Sequence, residues 1–132
     1  MTMSYHLSKK ISVSFKQAIE KVTEELKKEG FGILTEINVK ETIKKKLDKD
    51  FLKYIILGAC NPSLAYQALM SETEIGLLLP CNVIVYERQD GKVVVSAQEP
   101  EAALSIVGNQ AVAPMAKEAH ERLVRVIESL KS

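Results

Sequence analysis

"KYIILGACNPSLAYQALM", residues 53–70, changes its period at its middle. Residues 53–60 are a near-continuous apolar run ending in Gly58, Ala59 and Cys60, the pattern of a strand buried on both faces. Asn61 and Pro62 interrupt it. An asparagine side chain accepts from the free amides of a first helical turn, and the fixed φ of proline suits the first helical position. "PSLAYQALM" therefore reads as a helix of about two turns, and the strand before it is expected at the centre of a sheet.

Working outward, the same alternation of strand and helix patterns continues to both ends. "YHLSKKISV" alternates weakly as a first strand. Phe15, Ala18, Ile19, Val22 and Leu26 then fall on one helical stripe, with Ser12 or Ser14 available as the cap and Gly30 as the left-handed terminator, which predicts a helix over 14–29. Lys27 and Lys28 suit the C-terminal end of its dipole. "FGILTEINV" is rich in β-branched residues and reads as a strand. "KETIKKKL" reads as a short helix with Ile43 and Leu47 on its buried side.

Past residue 70, "EIGLLLPCNVIVYE" reads as a strand interrupted at Pro80, because proline donates nothing to a ladder. Asp90-Gly91 is a turn dipeptide, so "NVIVYE" and "KVVVSAQ" form a hairpin. "PEAALSIVG" is a short helix opened by Pro100, with Gly108 beyond its end. In the last segment Val112, Met115, Ala119, Leu123, Val126 and Leu130 share a stripe while Glu118, Glu121, Arg122 and Arg125 face water, an amphipathic helix laid on a sheet.

Composition restricts the function classes. The chain has 132 residues, about one domain, and neither a linker nor an internal repeat divides it, so residues 1–132 are expected to form a single domain. With 18 basic against 17 acidic residues it lacks the positive field that nucleic-acid binding uses, and Lys44, Lys45 and Lys46 read as a solvated helix face. No run reaches the ~20 apolar residues of a membrane span. The first residues carry no apolar export segment, which points to a cytoplasmic protein with reduced thiols.

The chain's two cysteines, Cys60 and Cys81, are each followed by asparagine, Asn61 and Asn82. They are the constellation with the most chemical content. Cys60 stands where partial positive charge from a helix start would stabilise a thiolate, and Cys81 follows a proline break that can re-aim its side chain. If the two strands bring the sulfurs together, they could hold a soft ion such as Cu(I) or cycle between dithiol and disulfide. Pro62 and Tyr66 on the following helix would complete a pocket. The opposing reading is packing: free cysteine behaves as a small buried hydrophobe, Asn61 caps a helix and Asn82 satisfies a turn. The spacing from Cys60 to Cys81 matches no zinc or redox signature.

Other residues read as structural. His6 lies near the N-terminus and His120 on the polar side of the last helix, both as surface histidines. Glu87, Glu99 and Glu101 read as solvated acids, and Phe15, Phe31 and Phe51 as core. Gly30 and Gly32 follow a helix and so form no phosphate cradle.

Three blocks together, "GFGILTEINVKETIKKKL", "ILGACNPSLAYQAL" and "GLLLPCNVIVYE", resemble the domain of unknown function 302 family over residues 30–87. The resemblance implies an α+β fold of one domain, an antiparallel sheet with helices packed on it, similar to half of the TATA-binding-protein fold, and a homodimer. It assigns no activity and identifies no cofactor. Family members often carry aspartate where this chain has Asn38, so a required carboxylate there is not expected. Three function classes follow: a binding module with a Cys/Asn-lined pocket for a small molecule or soft metal, a thiol enzyme or redox protein, and an interaction domain with inert cysteines. The first is favoured, because asparagines beside sulfurs supply polar groups that a pure core avoids and no general base is evident.

Overall fold

Local signals start and stop the elements largely where the sequence places them. The computed structural model describes residues 4–131. Strand β1 is His6–Ile11 and helix α1 is Phe15–Lys28. Of the two candidate serines, Ser14 is the cap: its Oγ accepts from the Gln17 amide at 3.1 Å, and the Gln17 side chain accepts from the Ser14 amide at 3.3 Å. Gly30, at φ 84°, turns the chain out of the helix into β2, Gly32–Asn38. Helix α2 is Val39–Leu47, capped by Asn38, whose Oδ1 accepts from the Glu41 amide at 3.1 Å. An aspartate would cap this helix equally well.

Strand β3 is Tyr54–Cys60 and α3 is Pro62–Ser71. Strands β4, Cys81–Glu87, and β5, Val93–Gln98, form the expected hairpin across Asp90-Gly91. Helix α4, Pro100–Leu104, runs into a 3-10 turn ending at Gly108, and α5 is Ala113–Ser129.

The five strands form one antiparallel sheet in the order β1-β5-β4-β3-β2. The fold is therefore α+β, with helices packed on an antiparallel sheet. Alternation along each strand sends Leu57, Ala59, Val83, Val85, Val93, Val95 and Ala97 to one face, where Ala18, Val22 and Leu26 of α1 and Leu123, Val126 and Ile127 of α5 bury them. The apolar stripe predicted for the last helix is buried from Val112 to Leu130. A second, smaller apolar cluster of Ala68, Ile75, Val112 and Met115 lies beside this core.

Four expectations change. The centre of the sheet is β4, and β3 is its neighbour, because β3 is an antiparallel strand with helices on one face instead of a strand buried on both. Residues 73–78 form a 3-10 turn in place of the first half of a strand; the ladder begins only after Pro80. Helix α2 buries no residue, and Leu47 is 64% exposed, since the helix lies at the β2 end of the sheet, away from the core. Phe31 is core, whereas Phe51 is 41% exposed on the segment leading into β3.

On the opposite face, Tyr54 and Tyr86 are paired across β3 and β4 with rings stacked at 5.5 Å. Ile56 and Ile84 pair beside them, and Ile37 faces Ile56 from β2. Gly58 shares this face and has no room for a side chain: a Cβ there would lie 2.2 Å from Thr35 Oγ1 and 2.9 Å from Pro80 Cγ. The irregularity between Ile33 and Thr35 sets Thr35 opposite Gly58. Among the described residues no helix is long and apolar enough to cross a membrane.

Candidate functional site

Strand β3 ends and α3 begins at Cys60-Asn61, and the side chain of Asn61 explains how this junction is held. Its Oδ1 accepts from the Leu64 amide at 3.2 Å, the capping role read from the sequence, and its Nδ2 donates to the Glu29 carbonyl at 3.4 Å. Arg122 of α5 donates to the same carbonyl at 2.8 Å. The end of α1, the start of α3 and the middle of α5 therefore meet at one carbonyl oxygen. Any side chain at Gly30 would strike this joint, with Asn61 Nδ2 2.9 Å from the added Cβ.

Behind the joint lies an apolar cavity of about 40 Å³. Cys60 and Cys81 both line it, so the two strands do bring the cysteines to one place, across the Ala59–Cys81 pair of β3 and β4. Asn61 lines it too, and Phe31, Leu64 and Met115 close it. Pro62, Tyr66 and Asn82 do not share the cavity. Pro62 opens α3 on the outside, Tyr66 is 65% exposed on the outer side of that helix, and Asn82 is exposed on β4 opposite Gly58. Alternation explains Asn82, which follows an inward-facing Cys81 and so points to the other face.

Both cysteines are free thiols. In place of the depressed thiol expected at the start of α3, burial pushes Cys60 up. Burial, and then the neighbouring Cys60, push Cys81 from its ordinary 9.0 up to about 11. Desolvation penalises a thiolate more than the first turn of α3 favours it, so both sulfurs are thiols at neutral pH.

A second constellation was not legible in the sequence. Glu99, read as solvated, is 5% exposed, and His120, read as a surface residue, is half-buried against it. His120 Nδ1 and Glu99 Oε1 are hydrogen-bonded, and Glu99 Oε2 accepts from the Ala102 amide at 2.7 Å, capping α4. The correction has a physical source. Glu99-Pro100 repeats the cap-then-proline arrangement of Asn61-Pro62, which places the acid at a buried helix start. His120 follows Ala119 on the edge of the α5 stripe, facing α4. That repeated arrangement was the available signal.

Comparison with known proteins agrees with this architecture. Residues 7–130 match the model of the family described as Domain of unknown function DUF302. A solved structure, described as the crystal structure of an uncharacterized conserved protein DUF302 from Bacillus stearothermophilus, is similar at a TM-score of 0.88. The two sequences are 28% identical, over 96% of this chain and 98% of that one. No curated protein matches the chain. With the fold, the order of the signature blocks and the match over nearly all its length in agreement, the chain belongs to the DUF302 family.

Proposed function

We propose that this domain is a binding module whose cavity holds a soft metal ion between Cys60 and Cys81. The observation that carries the reading is that Cys60, Cys81 and Met115 line one apolar cavity. Thiolate and thioether sulfur select ions such as Cu(I) over harder cations. Size points the same way. A water needs roughly 10–15 Å³ of such space, so about 40 Å³ admits an ion or a molecule of a few atoms and excludes a metabolite-sized ligand. A small apolar molecule is the second reading, favoured by the almost wholly apolar lining. A thiol enzyme is the reading with least support, because burial holds both thiols above the range in which a nucleophile forms at neutral pH.

Titration of Cu(I) against a competing chelator tests this. One ion per chain, bound with proton release and lost in both Cys60→Ser and Cys81→Ser, is the expected result. Retention of the ion in both variants sinks the metal reading. Xenon then separates the alternatives, since a dry cavity takes it up and shifts the Met115 methyl resonance.

The homodimer implied by the family resemblance is proposed on the sheet face bearing Tyr54, Ile56, Ile84, Tyr86 and the 48%-exposed Ile37. Contiguous apolar surface of this kind marks association, and the antiparallel sheet can present the same patch to a second copy about a two-fold axis. Sedimentation of Ile37→Glu as a monomer, against a wild-type dimer, is expected; a wild-type monomer removes the proposal.

A further inference from the structure

Glu99, Glu101 and His120 converge from two segments that the cysteine cavity does not use. Glu99 is fixed from behind. Its Oε2 is held by the Ala102 amide at 2.7 Å, which leaves Oε1 directed at Nδ1 of His120. Glu101 Oε1 stands 3.8 Å from the same nitrogen. One ligand atom from each of the three residues lies within 4.8 Å of the other two. A hydrogen bond between Glu99 and His120 needs no third group, and Glu101 adds a second carboxylate within reach of the same nitrogen.

We propose that Glu99, Glu101 and His120 bind a divalent first-row transition-metal ion of the zinc type, with water completing the coordination. Two carboxylate oxygens and one imidazole nitrogen are harder donors than the sulfurs of the other cavity and suit zinc, manganese or ferrous iron. The charges also balance: a divalent ion neutralises both carboxylates, whereas a protonated His120 neutralises one. Metal–ligand distances of roughly 2.0–2.2 Å spread ligand atoms about 3–3.5 Å apart. The Glu101–His120 separation is already close to that, and the Glu99–His120 hydrogen bond opens as the ion replaces the Nδ1 proton, which leaves to solvent. The Ala102 amide keeps Glu99 in place through this change, as an outer-shell partner orients a ligand. Three protein ligands leave a position for water, and Glu101 also lines a hollow of about 260 Å³, with Ser105 and Asn109 on its wall, on that side.

The test uses the full chain carrying Cys60→Ser and Cys81→Ser, so that no thiol can take the metal. Co²⁺ is titrated while its visible d–d absorption is followed, and Zn²⁺ by calorimetry. One ion per chain is expected, with affinity falling by at least ~10-fold in His120→Ala and in Glu101→Gln, since losing a ligand costs no less than losing an outer-shell partner. Neither variant removes the Glu99 cap. If His120→Ala fails to fold, Glu101→Gln, at a half-exposed position, gives the same reading. Absence of binding up to millimolar metal, or an affinity unchanged in the folded variants, overturns the site whatever the outcome for Cu(I).

Discussion

Two hollows meet at Leu104, which lines both. On one side are sulfur and hydrocarbon, at about 40 Å³. On the other, an opening of about 260 Å³ reaches the carboxylate of Glu101, which stands beside the buried Glu99–His120 pair. Helix α5 serves both with adjacent residues, Ala119 to the first and His120 to the second site. A helix rotates by about 100° per residue, so neighbouring positions can face environments of opposite polarity. The apolar hollow holds its thiols neutral by desolvation. The polar site satisfies a buried carboxyl by giving it a histidine partner and a backbone amide.

The contrast breaks first if the buried acid is removed. Glu99→Ala takes away the α4 cap and leaves His120 without its carboxylate, and it is expected to cost about 3 kcal/mol in urea unfolding. Glu99→Gln, which retains a carbonyl oxygen for the Ala102 amide, should cost clearly less. Equal losses in the two variants would mean that the carboxyl's bond to His120 carries the whole effect and that the cap and packing contribute nothing.

The sulfur side is sharpened by pH. Cys81 titrates at about 11 when folded and near 9.0 when unfolded, so between these values the folded chain holds more protons than the unfolded one. Its contribution to stability is complete below pH 9 and is lost as pH rises through 11, by roughly 3 kcal/mol in all. Comparing wild type with Cys81→Ala at pH 8 and pH 10.5 isolates this from other alkaline titrations. A constant difference between the two proteins would show that Cys81 is not desolvated. The smallest effect belongs to Tyr66, which the sequence groups with the cysteines. Tyr66→Ser should change stability by no more than about 0.5 kcal/mol and leave Cu(I) binding unaltered, because the ring is in water on the outer side of α3.

Features written in adjacent residues were legible. The Ser14 cap, the Gly30 stop, Asn61-Pro62 and Asp90-Gly91 each satisfy their own backbone, so reading them requires no knowledge of the rest of the chain. The signature blocks supplied the antiparallel sheet. What the sequence left hidden depends on partners far along the chain. Residues 75–79 are as apolar as a strand, yet Ile75 is buried in the smaller cluster with Ala68 and Val112, and the ladder waits for Cys81. Leu47 and Phe51 have the residue types of a core without a surface to meet. The cysteine cavity was half legible: Cys60, Asn61 and Cys81 belong to it, but Met115 arrives from α5 and Tyr66 turns away. Glu99 and His120 are joined only by the docking of α4 against α5.

The pairing of β1 with β5 governs how this chain can be made. Residues 6–11 find their ladder partners at 93–98, and Lys9 finds acceptors in the carbonyls of Glu128 and Leu130 at the end of α5. During synthesis from the N-terminus, the first strand must therefore wait unpaired until residues 93–98 have been made. The β4–β5 hairpin forms between neighbouring residues, whereas β1 docks on its edge from more than 80 residues away, and α5 closes over the sheet after them. Long sequence separation between contacts slows folding and prolongs the exposure of strand edges. For a nascent chain, the last helix is the step that converts an open sheet into a protected one.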